Sequence, residues 1–341
     1  MTVPRSVLVT GGAGFIGSHT CVELLQQGHE VIVVDDYSNS SLEALRRVET
    51  ISGRSLVVHE LELRDRERVD AIFKQHDIEA VIHFAAKKAV GESVEIPLEY
   101  YDINVGGTIV LLRTMAKHGI KDLVFSSSCS VYGDAQSAPL TEDDATAPTN
   151  PYARTKLMCE QLLGDACARD EDLGVIALRY FNPVGAHPSG ELGEEPNGLP
   201  RNLMPYLMQV AAGRLEKLSV FGDDYPTVDG TCVRDYIHVV DVADGHRVAL
   251  DHLGDSRGLR VLNLGTGVGT SVLELVAAYQ AACGIKLPYQ VVGRRPGDVP
   301  KLVADPSRVA REWNWRTTRN LADMCADSWR FQQLNPAGYL P

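Results

Sequence analysis

The sequence has no run approaching the ~18 apolar residues of a membrane-spanning helix. It has no excess of positive charge: 33 Lys and Arg against 45 Asp and Glu leave a formal net charge of −12. That argues against a nucleic-acid protein, and any anionic ligand must be met by locally placed arginines. There is no CxxC spacing. Cys21, Cys129, Cys159, Cys167, Cys232, Cys283 and Cys325 are scattered and odd in number, which excludes a readable disulfide frame or zinc site. They read as reduced thiols of a cytoplasmic protein. The ten histidines do not cluster, so no metal site is expected, and His83 reads as a packed or bonded strand-end residue. Internal repeats and low-complexity tracts are also missing. An apolar strand beginning by Val7 leaves no room for a signal peptide before it.

What remains is a chain of 341 residues, 44% hydrophobic, long enough for about two domains. Short apolar runs at 7–10, 30–35, 56–59, 80–83, 123–126 and 175–179 alternate with helical patterns at 15–27, 66–75, 101–117 and 152–168. Strands alternating with helices imply an α/β fold with a doubly wound parallel sheet. After Tyr180 the texture changes. Residues 182–200 are rich in Pro and Gly and are expected to form a functional loop, and 222–231 a second polar loop. We therefore expect a dinucleotide-binding Rossmann domain over 1–181 and a smaller substrate domain over 182–341, with segments such as 261–264 returning to the first sheet.

Gly11, Gly14 and Gly17 follow the first strand and open a helix. Such glycines permit a tight turn and close backbone approach, and the helix N-terminus receives a pyrophosphate. Asp35, at the end of the second strand, can accept from ribose hydroxyls and repels a 2′-phosphate, which favours NAD over NADP. Tyr152 and Lys156 stand at i and i+4 on one helix face. A lysine charge there would favour the phenolate, and a phenol with a normal pKa near ~10 needs a shift of roughly 3 units, about 4 kcal/mol, to act as a base at pH 7. Ser128 lies at a strand end, where ligands bind in such sheets. Together these residues point to hydride chemistry on an alcohol. Arg234 and Arg295 would ordinarily be solvated charges, although arginine forks bind phosphate well. Asn182 and Asn202 alone read as no more than loop caps.

Several longer stretches are more specific: Val9-Thr10-Gly11-Gly12, His83-Phe84-Ala85-Ala86, Ala89-Val90-Gly91-Glu92-Ser93, Phe125-Ser126-Ser127-Ser128, Tyr180-Phe181-Asn182-Pro183-Val184-Gly185-Ala186-His187-Pro188-Ser189-Gly190, Asn202-Leu203-Met204-Pro205-Tyr206 and Val233-Arg234-Asp235-Tyr236-Ile237-His238. Through them the chain resembles, over nearly its whole length, the UDP-hexose 4-epimerase group of the extended short-chain dehydrogenase/reductase family. The resemblance implies a resident NAD and reversible inversion of UDP-glucose and UDP-galactose at C4′ through a 4-keto sugar. Tyr152 would move the 4′-hydroxyl proton, Ser128 would hold the same oxygen, and Lys156 would lower the tyrosine pKa and bond the nicotinamide ribose.

The resemblance also implies cofactor contacts. At the glycine turn and second strand these are Gly11, Gly12, Gly14, Phe15, Ile16, Gly17, Asp35, Asp36, Asn39 and Ser40. Further along they are Glu62, Leu63, Phe84, Ala85, Lys88, Asn104 and Phe181, with Tyr152 and Lys156. Implied substrate contacts are Asn182, Asn202, Leu203, Ser219, Val220, Phe221, Arg234, Tyr236, Arg295, Asp298 and Leu302, with Ser128 and Tyr152. A homodimer through the helices at 101–117 and 152–168 is implied as well.

The chain departs from many relatives at Glu62-Leu63, where Asp-Ile is usual near the adenine, and at Cys129-Ser130, where Ala-Thr follows the serine. Leu302 stands where some relatives have a bulky tyrosine beside the sugar, which would admit N-acetylated UDP-hexosamines. A sugar-nucleotide 4,6-dehydratase or decarboxylase shares the fold, but dehydratases commonly carry acidic residues just after the catalytic Ser or Thr, where Cys129-Ser130 offers no carboxylate. A non-catalytic NAD-sensing protein would be expected to lose the tyrosine or lysine, and both are present.

Overall fold

The computed structural model describes residues 3–134, 138–195, 198, 200, 202–255, 257–295 and 297–339. Parts of the 182–200 stretch, and Pro296 beside Arg295, lie outside the described residues. In chain order the strands are β1 (Ser6–Thr10), β2 (Glu30–Asp35), β3 (Val57–Glu60), β4 (Ala80–His83), β5 (Asp122–Ser126), β6 (Gly174–Tyr180), β7 (Asn182–Val184), β8 (Leu218–Phe221), β9 (Val233–His238), β10 (Gly258–Leu264), β11 (Gly269–Ser271), β12 (Tyr289–Val292) and β13 (Lys301–Leu302).

The main sheet has the order β10-β6-β5-β4-β1-β2-β3, all parallel. Its strands are short, β-branched and apolar because helices cover both faces. One face packs Val7, Val9, Val31 and Val33 under the helices Phe15–Gln26, Leu42–Ser52 and Val239–Asp251. The other packs Leu8, Ile32, Val81 and Leu123 under the helices Arg66–Gln75, Gly107–His118 and Pro151–Arg169. The return of 261–264 is realised as β10, which pairs with β6.

Beyond β6 the chain builds two small sheets, β11-β9-β13 with β7 on β9, and the parallel pair β8-β12. Met204, Leu207, Leu275, Tyr279 and Phe331 form a separate core beneath them.

Two expectations change. The helix expected over 101–117 begins instead as a π-helical turn, Tyr101–Gly106, that runs into Gly107–His118. The wider turn carries Asn104, whose side chain reaches across to other elements, and π turns occur frequently at functional sites. The stretch 182–200 is not wholly loop, because Asn182–Val184 pairs with Tyr236–His238 as β7 on β9. Three residues containing proline carry no readable strand period, so only the tertiary pairing creates this element.

Candidate active site

The carboxyl ends of β1, β4, β5 and β6 open on one edge of the main sheet, and the singled-out residues gather there. After β1 the chain turns at Gly11 with φ +71°, where a Cβ would sit 2.6 Å from the Ala85 nitrogen. At Gly17 a Cβ would come 2.2 Å from the Gly11 carbonyl oxygen, and at Gly12 one would strike Val33. The backbone is thus brought close in a way no side chain allows. The helix Phe15–Gln26 starts at Gly14 with no side-chain cap and no acidic residue in its first turn. Its leading N–H groups are therefore available to an anion.

Asp35 closes this cradle. One oxygen accepts from Ala13 N at 2.9 Å, and the other from Tyr37 N at 3.0 Å and Ser40 Oγ at 2.6 Å. Burial raises its pKa, and these donors oppose the rise. Asp36 and Asn39 are exposed beside it. Phe84 and Ala85 follow β4, tied to Thr10 by their amides. The residues fit a dinucleotide: a glycine cradle with no room for Cβ, an uncapped helix start and a buried carboxylate at the end of β2.

Some expected cofactor contacts are otherwise engaged. Leu63 is buried in the sheet core, and Glu62 accepts from Arg64. Asn104 accepts from Lys87 N at 2.8 Å and donates to Lys87 O and Thr155 Oγ1, so its amide holds the loop after β4 against the Tyr152 helix. Phe181 is buried beside Cys129, Tyr132 and Leu302. His83 bonds Thr10 Oγ1 at 2.6 Å and Thr108 Oγ1 at 3.1 Å. Burial, with Lys156 nearby, lowers it to about 3, a neutral core histidine.

The helix Pro151–Arg169 is placed by local chemistry: Pro151 is pre-set for its first turn, and the Asn150 side chain accepts from Ala153 N. Tyr152, Lys156 and Glu160 share its inner face at four-residue spacing. Lys156 is buried; its Nζ donates to Ser126 O at 2.7 Å and lies 5.1 Å from the Phe125 ring. Three consecutive serines fasten the end of β5. Ser126 shares a short hydrogen bond with the Tyr180 hydroxyl, Ser127 donates to Glu160, and Ser128 accepts from Ser130 Oγ at 2.9 Å. Ser130 thus orients the Ser128 hydroxyl.

Within the protein alone, the surroundings of Tyr152 and Lys156 favour their neutral forms. Burial pushes the Tyr152 phenol up to about 12, with a hydrogen bond to Ser128 opposing, and burial pushes Lys156 down to about 8. Lys156 does not by itself hold Tyr152 low. The lysine charge is spent on a carbonyl and a ring, and desolvation disfavours both charged forms. The Cys129 thiol, pushed up to about 12 by burial, is no nucleophile.

Two residues beneath the site were missed. Glu160 binds Arg179 through two bonds at 2.9 and 2.6 Å, and both side chains are buried. A charge inside the apolar run of β6, and a carboxylate one turn beyond Lys156, were the available signals.

The loops at the far end gather another group. Arg234, on β9, donates to Val299 O at 2.8 Å and lies 3.8 Å from Asp298. Arg295 pairs with the same Asp298 at 2.8 Å and lies 5.6 Å from the Phe221 ring. Ser219 and Val220 lie on β8, where the Val220 side chain is core-buried and the residue pairs with Val291 of β12. Tyr236 is likewise buried, which raises its phenol. The buried Asn182 Oδ1 has no partner among the described residues, an acceptor awaiting a donor. Asn202 precedes the helix Leu203–Ala211 without capping it, and its amide goes to Glu194 instead. Leu302 packs with Phe181 and Cys129.

A separate cleft of ≈ 650 Å³ at the amino ends of β1, β2 and β3, lined in part by His29, His76 and Asp77, shares no residue with this site.

Residues 7–265 match the NAD dependent epimerase/dehydratase family. The chain is 57% identical to UDP-glucose 4-epimerase of Bacillus subtilis (strain 168) over 334 residues, 98% of each chain. It is 52% identical to the Mus musculus enzyme of the same name over 342 residues, covering 98% of this chain and 99% of the other. UDP-glucose 4-epimerase from Bifidobacterium longum, solved with NAD+ and UDP, superimposes with a TM-score of 0.95 at 50% identity over 98% of this chain and 99% of that one. The enzyme from Stenotrophomonas maltophila, solved with NAD and formylated UDP-arabinopyranose, also has a TM-score of 0.95, at 52% identity over 97% and 99%. With its glycine cradle and its Ser128–Tyr152–Lys156 group on the same sheet edge, the chain belongs to the NAD dependent epimerase/dehydratase family.

Proposed function

We propose that this chain is an NAD-dependent isomerase that reversibly interconverts UDP-glucose and UDP-galactose at C4′ through a 4-keto sugar. The observation that carries the reading is the meeting of Ser128, Tyr152 and Lys156 on the sheet edge, between the Gly11–Gly17 cradle and the Arg234–Asp298 loops. Bound NAD+ supplies the hydride acceptor and later the donor, and its positive ring would favour the Tyr152 phenolate that burial disfavours. Tyr152 takes the 4′-hydroxyl proton as C4′ gives up its hydride, and returns that proton to the same oxygen once C4′ has been reduced again from its other face. Ser128, itself oriented by Ser130, holds the same oxygen. Lys156, fixed by Ser126, would bond the nicotinamide ribose.

The glycine cradle, Phe15, Ile16, Asp35, Asp36, Asn39 and Ser40 hold the adenosine half. Phe84, Ala85 and Lys88 would complete the cofactor wall, with Glu62, Leu63, Asn104 and Phe181, bonded or packed within the protein, shaping it from behind. Inversion requires the sugar to turn while the nucleotide stays fixed. Arg234 and Arg295 grip the diphosphate, and Asn182, Asn202, Leu203, Ser219, Val220, Phe221, Tyr236 and Asp298 frame the rest. The test is purified protein incubated with UDP-galactose and no added NAD. UDP-glucose is the expected product, and its absence would refute the reading.

Leu302 favours a wider sugar range. It lies beside Phe181 and Cys129, and an aliphatic side chain leaves room that a tyrosine ring would fill. We expect turnover of UDP-N-acetylglucosamine, measured against UDP-glucose at equal protein.

A homodimer is proposed through the helical stretches at 101–117 and 152–168. Apolar Met158 on the second, and Val94 and Leu98 on the adjoining helices, are 43%, 64% and 78% exposed. Sizing in solution checks it. All seven cysteines are unpaired, which supports a reducing compartment such as the cytoplasm. No described helix is long and apolar enough to cross a membrane.

A further inference from the structure

Glu194 is a carboxylate for which neither the chemistry nor the ligand contacts above provide a use. Its side chain is only 7% exposed, although it lies in the turn-rich stretch after β7. One of its oxygens accepts from Lys88 Nζ at 2.9 Å and from Asn202 Nδ2 at 3.3 Å. Lys88 follows β4 and lies 6.0 Å from the Phe15 ring, at the opening of the glycine-turn helix. Asn202 stands on the opposite side, just ahead of the helix Leu203–Ala211. A single buried oxygen therefore joins a residue of the cofactor wall to one of the nucleotide wall.

The residues on either side of Glu194 are both held by the last part of the chain. Gly193 N donates to the Tyr339 hydroxyl at 3.0 Å, and that hydroxyl donates to Gly193 O at 2.8 Å. The Tyr339 amide donates to the Glu195 carboxylate. At Gly193 a Cβ would stand 2.5 Å from the Phe331 ring, so only glycine fits this close approach. The tail is in turn seated on the main-sheet half. The Arg47 guanidinium lies 4.7 Å from the Tyr339 ring and donates to Glu191 O at 2.8 Å, and Asn335 Nδ2 donates to Gly190 O at 2.8 Å.

We propose that Glu194 is a positioning residue that sets Lys88 toward the cofactor and Asn202 toward the sugar nucleotide, and that Tyr339 is the latch that fixes it there. The Asn202 arm rests on the function proposed above, whereas the Lys88 arm needs only a bound dinucleotide. A charged acceptor holding two donors restricts both side chains, and restricted side chains lose less freedom when a ligand arrives. The carboxylate also neutralises Lys88 until the pyrophosphate takes part of its charge.

The experiment measures nicotinamide retained per chain against time after dilution, together with kcat and KM for UDP-galactose, in wild type, Glu194→Gln, Tyr339→Phe and Lys88→Ala. Glu194→Gln should release cofactor about tenfold faster and raise KM about tenfold with a smaller change in kcat, the size of one charge-assisted bond. Tyr339→Phe keeps its ring on Arg47 and should shift both readouts the same way by about threefold, with a melting temperature lowered by no more than about 5 °C. The Lys88→Ala/Glu194→Gln double variant should release cofactor no faster than Lys88→Ala alone. Wild-type cofactor retention in both Glu194→Gln and Tyr339→Phe, or additive losses in the double variant, would overturn the proposal. A wild-type protein that holds nicotinamide but ignores UDP-galactose would instead defeat the proposed function and leave the retention comparison decisive.

Discussion

Around Tyr152 the side chains are sealed: Ser127, Asn104, Lys156 and Glu160 are at most 4% exposed, and each is hydrogen-bonded within the protein. Around Arg234 and Arg295, the proposed nucleotide end of the site, the surroundings are more open. Phe221 is 41% exposed, the Arg295 side chain is 53% exposed, and both arginines share one aspartate. The first region stands on strand ends and a capped helix of the main sheet, the second on β8 and β9 of the small sheets and on the loop between β12 and β13. The difference follows from what each must do. Moving a proton requires donors fixed to within a fraction of an ångström, which only packed elements supply. Holding a diphosphate while a sugar turns, and then releasing it, suits exposed forks whose partners can exchange.

The largest test of this contrast removes the proton carrier. Tyr152→Phe should lower kcat by about 10³-fold while UDP-sugar binding, measured by calorimetry, stays close to normal. Normal turnover would take Tyr152 out of the mechanism. Next is the sealed floor. Glu160→Ala leaves Arg179 charged and buried, and should cost about 3–5 kcal/mol of stability in urea titrations. A change below about 1 kcal/mol would show that this region is no more rigidly built than the one around the two arginines.

The third test uses pH. Burial holds Lys156 at about 8 against 10.5 in the unfolded chain. Below pH 8 both states bind the proton and the burial penalty is fully present. Between pH 8 and 10.5 only the unfolded chain keeps the proton, so this group makes stability rise with pH, by about 3 kcal/mol across the window. Unfolding titrations of cofactor-freed protein should show the stability difference, wild type minus Lys156→Met, rising between pH 8 and 10.5, over the fall that buried thiols such as Cys21 and Cys129 give to both proteins. Equal slopes in the two proteins would mean that Lys156 is not desolvated.

The smallest effects belong to the two arginines. Arg234→Ala, which removes a mostly buried guanidinium, should raise KM about 10- to 100-fold with little change in kcat. Arg295→Ala, exposed and paired at the surface, should raise it only a few-fold, and less at high salt. Equal effects from the two would erase the distinction between an anchored and an adaptable arginine.

How much of this was legible in the sequence depends on the range of each interaction. The glycine turn, the strand–helix alternation and the Tyr152–Lys156 spacing are local patterns, and the helix over 66–75 and the return of 261–264 to the main sheet were recovered from them. The π turn at Tyr101–Gly106 was not, because helical periodicity does not distinguish a turn widened by one residue. β7 was hidden because its partner lies some fifty residues on.

The residue chemistry was set by the chain alone: which side chains could carry a proton, face a ribose or grip a phosphate, and on which helix face or strand end each would stand. Tertiary structure decided how those groups are charged and held. It buried Tyr152 and Lys156 so that each is pushed toward its neutral form, placed Glu160 against Arg179, and closed Tyr339 onto Gly193 across nearly half the sequence. Desolvation and long-range hydrogen bonds are properties of the packed neighbourhood, and no spacing within one segment encodes them.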